Sequence, residues 1–318
     1  MSVDRPVRQY YSIFGLELAS DLALPELRPV PASAGAPDIV ISVGEIADTE
    51  RSPGLYKTAQ GALLIVDEVA RYAVRDGTHI LVEPQPGVPL ANVRLFLLGS
   101  ALGMLIHQRG LLPLHGNAIE IQGRAFAFVG HSGAGKSTLA AWFHDQGYRI
   151  ISDDVCVVRF DGSGNPLLSA GIPRLRLWRE AIEASGRVTD GYDRSYAGDE
   201  AYDKYDVPVD AAATAGGALP LAAVYALRRG DDFGVDRLGP VDSAEVLFAN
   251  TYRGAYLGQT ATNALHWQAC LDVIRRVPLF DFVRPWKLET LGEHAGLIAA
   301  HARALAEESH GGRQPQDG

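Results

Sequence analysis

The chain has 318 residues, 47% of them hydrophobic and 21% charged, with a formal net charge of −9. That balance offers neither the basic face of a nucleic-acid binder nor attraction to an anionic membrane. Two cysteines, Cys156 and Cys270, suggest neither a disulfide framework nor a zinc cluster.

The N-terminus, "MSVDRPVRQYYSIFG", lacks the apolar core of a signal peptide. "LFLLGSALGMLI", 95–106, falls short of the roughly 20 apolar residues of a membrane span and reads as a buried helix. The expected location is the cytoplasm. Residues 1–88 read as a small β-rich accessory domain for substrate binding or assembly. "YYSIFGLELASD" and "DIVISVG" are strand candidates, and "ARYAVR" and "THILVE" form a hairpin across a two-residue Asp76-Gly77 turn. "EPQPGVP", 83–89, marks a boundary, and a helix is predicted from Leu90 to Gln108.

The second domain is placed at 89–305. "AIEI" and "AFAFV" are predicted as antiparallel strands joined at Gln122-Gly123. The next eight residues, Gly130, His131, Ser132, Gly133, Ala134, Gly135, Lys136 and Ser137, fit G-x-x-x-x-G-K-[ST] at every fixed position, and Thr138 continues the run. Glycines let successive backbone N–H groups turn inward onto phosphate oxygens, and the following helix adds its positive N-terminal end. Lys136 suits the β- and γ-phosphates and the Ser137 hydroxyl suits Mg2+. The expected ligands are therefore a nucleoside triphosphate, taken as ATP, and Mg2+.

"YRIIS" after that helix is predicted as a strand running beside the loop strand, ending at Asp153 and Asp154. Two adjacent carboxylates there can divide metal holding and proton acceptance; the plain alternative is a solvated turn. "PRLRLW" places Arg174 and Arg176 on one face if extended, as substrate candidates, with Lys204 in "DKYDV" as a third. Arg253 and Arg284 are weaker candidates. Residues 186–219 read as a long excursion whose tyrosines, 192, 196, 202 and 205, pack it down or form an acceptor surface. Helices fit 241–258 and 261–277, and 306–318 reads as a disordered tail.

"HG" at 115–116, the hairpin and loop that follow, and the Asp-Asp pair after "GYRIIS" together resemble the catalytic domain of HPr kinase/phosphorylase. The resemblance covers about 110–180. It implies an α/β fold: a P-loop kinase core of the HPr kinase/phosphoenolpyruvate carboxykinase type, a mixed sheet with helices. It further implies ATP-dependent phosphorylation of a serine or threonine hydroxyl in a peptide or small protein. The same match implies that Asp153 is the acid–base residue, that Asp154 and Ser137 serve the metal, that Lys136 acts at the phosphate, and that His115 touches the γ-phosphate or the acidic pair; the plain alternative for His115 is a structural histidine at a strand end. Self-association is an open expectation, because the family often forms rings. The layout resembles that of HPr-kinase-like proteins of peptide modification, such as lasso-peptide kinases. Two rival readings are a small-molecule kinase with "RLRLWR" as a lid, and a nucleotide-binding regulator or peptide-presenting module without phosphotransfer.

Overall fold

Residues 8–47, 51–196, 203–210, 214, 217–260 and 262–311 are described in the computed structural model, a mixed α/β fold built on three sheets. The first sheet contains β1 (Gln9–Ile13), β2 (Leu16–Ser20), β3 (Arg28–Pro29), β4 (Ile39–Val43), β5 (Gly54–Thr58), β6 (Gly61–Val66), β7 (Ala70–Arg75) and β8 (His79–Pro84), in the order β3-β1-β2-β4-β8-β7-β6-β5. In the β7–β8 hairpin Arg75 pairs with His79. The turn therefore has three residues, Asp76 to Thr78, rather than the two expected, with φ of 52° at Asp76 and 65° at Gly77.

A continuous helical segment crosses this sheet: α1 (Leu90–Phe96), a π-helical turn (Leu97–Ala101) and α2 (Leu102–Gln108). It is longer than the apolar core read from sequence. Its 19 residues, at a mean hydropathy of 1.5, suffice by length and composition to cross a membrane, yet 67% of that stretch is buried within the protein. Val93, Leu97, Leu102 and Leu105 pack with Leu18, Ile41 and Tyr72, which keeps the segment on the sheet. The Tyr72 hydroxyl donates to the Val93 carbonyl at 2.8 Å.

The strands that carry the candidate site are β9 (Leu112–Ile121), β10 (Arg124–Val129), β11 (Arg149–Ser152), β12 (Val155–Phe160) and β13 (Pro166–Leu168). A small sheet follows, β14 (Arg174–Trp178), β15 (Asp193–Arg194) and β16 (Lys204–Pro208), and then β17 (Leu219–Arg229), β18 (Gly234–Arg237) and β19 (Leu279–Arg284) return to the larger one. The β9–β10 turn is the expected two residues, Gln122 and Gly123, both at positive φ. The strand after the loop helix does not lie beside β10. β11 and β12 both pair with β9, while β17 takes the free edge of β10 in parallel. β13 links β12 to β17, so β9, β10, β17, β13 and β12 close into a ring.

The helices flanking the sheet are α3 (Lys136–Asp145), α4 (Arg179–Ala184), α5 (Pro240–Ala249), α6 (Leu257–Thr260), α7 (Asn263–Arg276) and α8 (Leu291–Gly311). Strand alternation divides β10 between two cores. Phe126 and Phe128 join residues of α3 and α8; Ala125, Ala127 and Val129 join those of α5 and α7. The helix expected over 241–258 is broken. After α5 the chain crosses the edge of β9, where His115 N–H donates to the Asn250 carbonyl at 2.7 Å and Tyr252 N–H to the Pro113 carbonyl at 2.9 Å. Those sheet bonds replace helix bonds, and Arg253 takes a left-handed φ of 53° to restart the helix. The long excursion holds β15 and β16; Tyr202 lies outside the described residues. Part of the expected tail is helical, since α8 runs to Gly311; 312–318 lie outside the described residues.

Candidate active site

The Gly130–Ser137 loop joins β10 to α3, which places it at the C-terminal edge of the sheet. Gly133 and Gly135 have φ of 85° and 80°, the left-handed region that side chains disfavour. Lys136 folds back into the loop, and its Nζ donates to the carbonyls of Gly130 at 2.7 Å and His131 at 3.0 Å. It is only 7% exposed, and burial pulls its pKa down to about 8, against the opposing pull of Asp154 and Asp153. Asn117, fully buried, donates from Nδ2 to the Lys136 carbonyl and so ties β9 to the first turn of α3. The Thr138 position follows on that helix.

Asp153 and Asp154 occupy the hand-over from β11 to β12, and Asp154 takes a left-handed φ of 77°. The two side chains consequently meet different groups. One Asp153 oxygen accepts the Ser137 hydroxyl at 3.3 Å and the other accepts the Arg176 N–H at 2.7 Å. Asp153 is 7% exposed, and burial raises its pKa to about 6. Asp154 accepts Arg176 Nη1 at 3.0 Å. Burial pushes Asp154 up, but Arg176, His115 and Lys204 together hold it below the usual carboxylate range.

His115 stands on the other side of Asp154. Its Nδ1 lies 3.0 Å from the Asp154 carbonyl, which can only accept, so Nδ1 carries the proton and Nε2 is left as the acceptor. Burial, then the charge of Lys136, lowers its pKa and keeps it neutral. The next residue must be glycine for a packing reason. A Cβ on Gly116 would fall 2.4 Å from the Phe128 carbonyl, inside the β9–β10 contact.

In front of these groups lies a cavity of about 640 Å3. Polar groups of His115, Ser132, Asp154, Arg176 and Lys204 line it together with Gly130, His131, Leu95, Phe96, Trp178, Tyr196, Tyr252 and Arg253. Asp154 thus faces the open space while Asp153 faces Ser137. The reading from sequence gives Asp153 the acid–base role and Asp154 the metal role. Arg176 is in the site, bridging Asp154 and Asp206. Arg174 pairs with Asp206 at 2.6 Å; it does not line this cavity but borders a small one with Asp153, Asp154 and Arg176 and a larger one with Asp206. Lys204 sits 5.0 Å from the Trp178 ring centroid, at the cavity wall.

Sequence reasoning missed Asn117, Trp178 and Tyr252. Gly254, inside a helical pattern, was the available signal for the break that delivers Tyr252. Tyr252 packs against the π-helical turn and α2, where a Cβ on Gly99 or Gly103 would lie 3.3 or 3.1 Å from its ring or hydroxyl. π-helical turns often occur at functional sites, and this one borders the cavity.

Ser137 and Asp153 present two hard oxygens at 3.3 Å, which fits Mg2+ held by one or two protein groups with phosphate oxygens and waters completing its shell. Among the described residues, no group of three or more His, Cys, Asp or Glu side chains is placed to hold a metal alone. Cys156 and Cys270 are buried free thiols.

No family model matches this chain, and no curated protein matches it. The solved structure of the Hpr(Ser) kinase/phosphatase from Coxiella burnetii is similar over 61% of this chain and 98% of that one, at 12% identity and a TM-score of 0.33. At that level of likeness, the reading of the site rests on its residues alone.

Proposed function

We propose that this protein is an ATP- and Mg2+-dependent kinase that transfers the γ-phosphate to a serine or threonine hydroxyl of a peptide or small protein. The observation that carries the reading is the Ser137–Asp153 contact of 3.3 Å beside a glycine-rich loop, with Asp154 and His115 facing a cavity large enough for an acceptor side chain. Lys136 moves from the loop carbonyls onto the β- and γ-phosphates. Ser137 and Asp153 hold Mg2+, which when bound offsets phosphate charge. Asp154 accepts the proton of the attacking hydroxyl as the new O–P bond forms and the bond to the β-phosphate breaks. This assignment exchanges the roles of the two aspartates, because only Asp154 is open to an acceptor.

Arg176 orients the Asp154 carboxylate, and neutral His115 offers Nε2 to the acceptor or to a phosphate-bound proton. The first sheet serves the acceptor side, since Leu95 and Phe96 of α1 wall the cavity. The test is incubation with γ-labelled ATP and pools of serine- and threonine-containing peptides, with small hydroxylic metabolites in parallel. Labelled phosphoserine or phosphothreonine is the expected product. Asp154→Asn should slow its formation by roughly 10²–10⁴ while ATP still binds. Label passing only to the small molecules, or undiminished transfer in that variant, would overturn the reading.

A further inference from the structure

We infer that the nucleoside end of the bound triphosphate leaves the Gly130–Ser137 loop on the side away from the acidic pair, where Arg284 matches phosphate charge and the Trp286–His131 ring pair stacks the base. The inference rests on the nucleotide reading of the loop and adds the residues that hold the nucleoside.

Direction comes from topology. β10, β17 and β19 are parallel, so their C-terminal ends share one edge of the sheet. The loop follows β10, and the acidic pair lies to one side, along β9. On the other side Arg229 and Arg284 are register partners at the ends of β17 and β19. A triphosphate with its γ end at Asp153 and Asp154 must emerge toward these arginines.

Arg284 is a buried cation with little to satisfy it. It is 4% exposed, its Nη1 donates to the Pro285 carbonyl at 3.1 Å, and its Nε has no partner among the described residues. Burial lowers its pKa, with no carboxylate among the described residues offsetting that loss. A Cβ on Gly135 would fall 2.9 Å from its Nη2, so the guanidinium lies against the last glycine of the loop. Burying an uncompensated charge is costly, and a polyphosphate in the loop supplies the compensation. The aromatic observation is independent. His131, exposed on the loop, lies 5.1 Å from the Trp286 ring, and the Arg229 guanidinium lies 5.9 Å from the Trp286 centroid. The Trp286 Nε1 donor is buried without a partner among the described residues. Every nucleobase offers a π-face, so this shelf selects a nucleoside triphosphate over bare polyphosphate rather than one base over another.

The test is calorimetric titration of the full chain with Mg-ATP and with Mg-tripolyphosphate. Trp286→Leu should weaken ATP by about 5- to 150-fold, the range one base stack supplies, and leave tripolyphosphate unchanged. Arg284→Gln should weaken both by at least about 10-fold, the worth of a charge-assisted hydrogen bond, and Arg284→Lys should restore part of it. Equal losses for the two ligands in Trp286→Leu, or no loss, would refute the shelf. Unchanged binding in Arg284→Gln would refute the phosphate role; should that variant not fold, Arg284→Lys and the tryptophan variant still decide. Wild-type protein that binds neither ligand overturns the nucleotide reading as well, whereas binding that survives every variant overturns only this inference.

Discussion

Replacing Asp153 by Asn should stabilise the protein while crippling it. The carboxylate is nine-tenths buried and its pKa is raised from 3.8 to about 6, chiefly by burial. A raised carboxyl pKa favours the folded state below pH 3.8, and that advantage is lost as pH rises through about 6. At pH 7 the ionised group therefore costs about 3 kcal/mol, from roughly two units at 1.36 kcal/mol each. Asn removes the charge and keeps a carbonyl oxygen for the Arg176 N–H. Thermal unfolding in EDTA at pH 7 should then show a Tm higher by about 5–10 °C, and the gain should vanish below about pH 4. Mg2+ with ATP should stabilise wild type more than the variant, and transfer should need far more Mg2+. An unchanged or lower Tm in EDTA, with normal Mg2+ dependence, would mean that Asp153 is a solvated turn residue and not a desolvated metal ligand.

Gly116→Ala should cost about 1–3 kcal/mol by overpacking β9 against β10, and it should slow transfer by displacing His115 from Asp154. Urea denaturation and the transfer assay read both effects; an alanine that is neutral in both would sink the steric account of the His-Gly pair. His266 is buried, with its pKa lowered to about 4 by burial and then by His107. Its contribution is full above pH 6.5 and is lost as pH falls toward 4, so wild type should be less stable at pH 5 than at pH 7 by about 2 kcal/mol from this group. Urea midpoints of His266→Gln should lack that share of the pH dependence; an identical dependence in the two proteins would contradict it.

The most legible parts of the site were local ones. The loop, the apolar strand before it, and the Gln122-Gly123 turn are each set by residues within a few positions of one another. Strand partnership beyond the β9–β10 hairpin was not legible, because β11 pairs with β9 while the other edge of β10 goes to β17, some 70 residues later in the chain. The same holds for the break after α5, whose backbone bonds are made to Pro113 and His115. The different surroundings of Asp153 and Asp154 go with a left-handed φ at Asp154 that no motif records. The excursion after 186 concealed β15 and β16 because its polar, tyrosine-rich composition gives no alternation, although Asp206 there gathers both Arg174 and Arg176.

The central claim is that Ser137 and Asp153 close one Mg2+–triphosphate site with the glycine-rich loop. Its most direct test is ATP calorimetry in Mg2+ and in EDTA, on wild type and Ser137→Ala. The account predicts that Mg2+ tightens ATP binding to wild type, and that Ser137→Ala loses this gain but binds metal-free ATP as before. Equal weakening in Mg2+ and in EDTA, or a Mg2+ gain that survives the substitution, would contradict it.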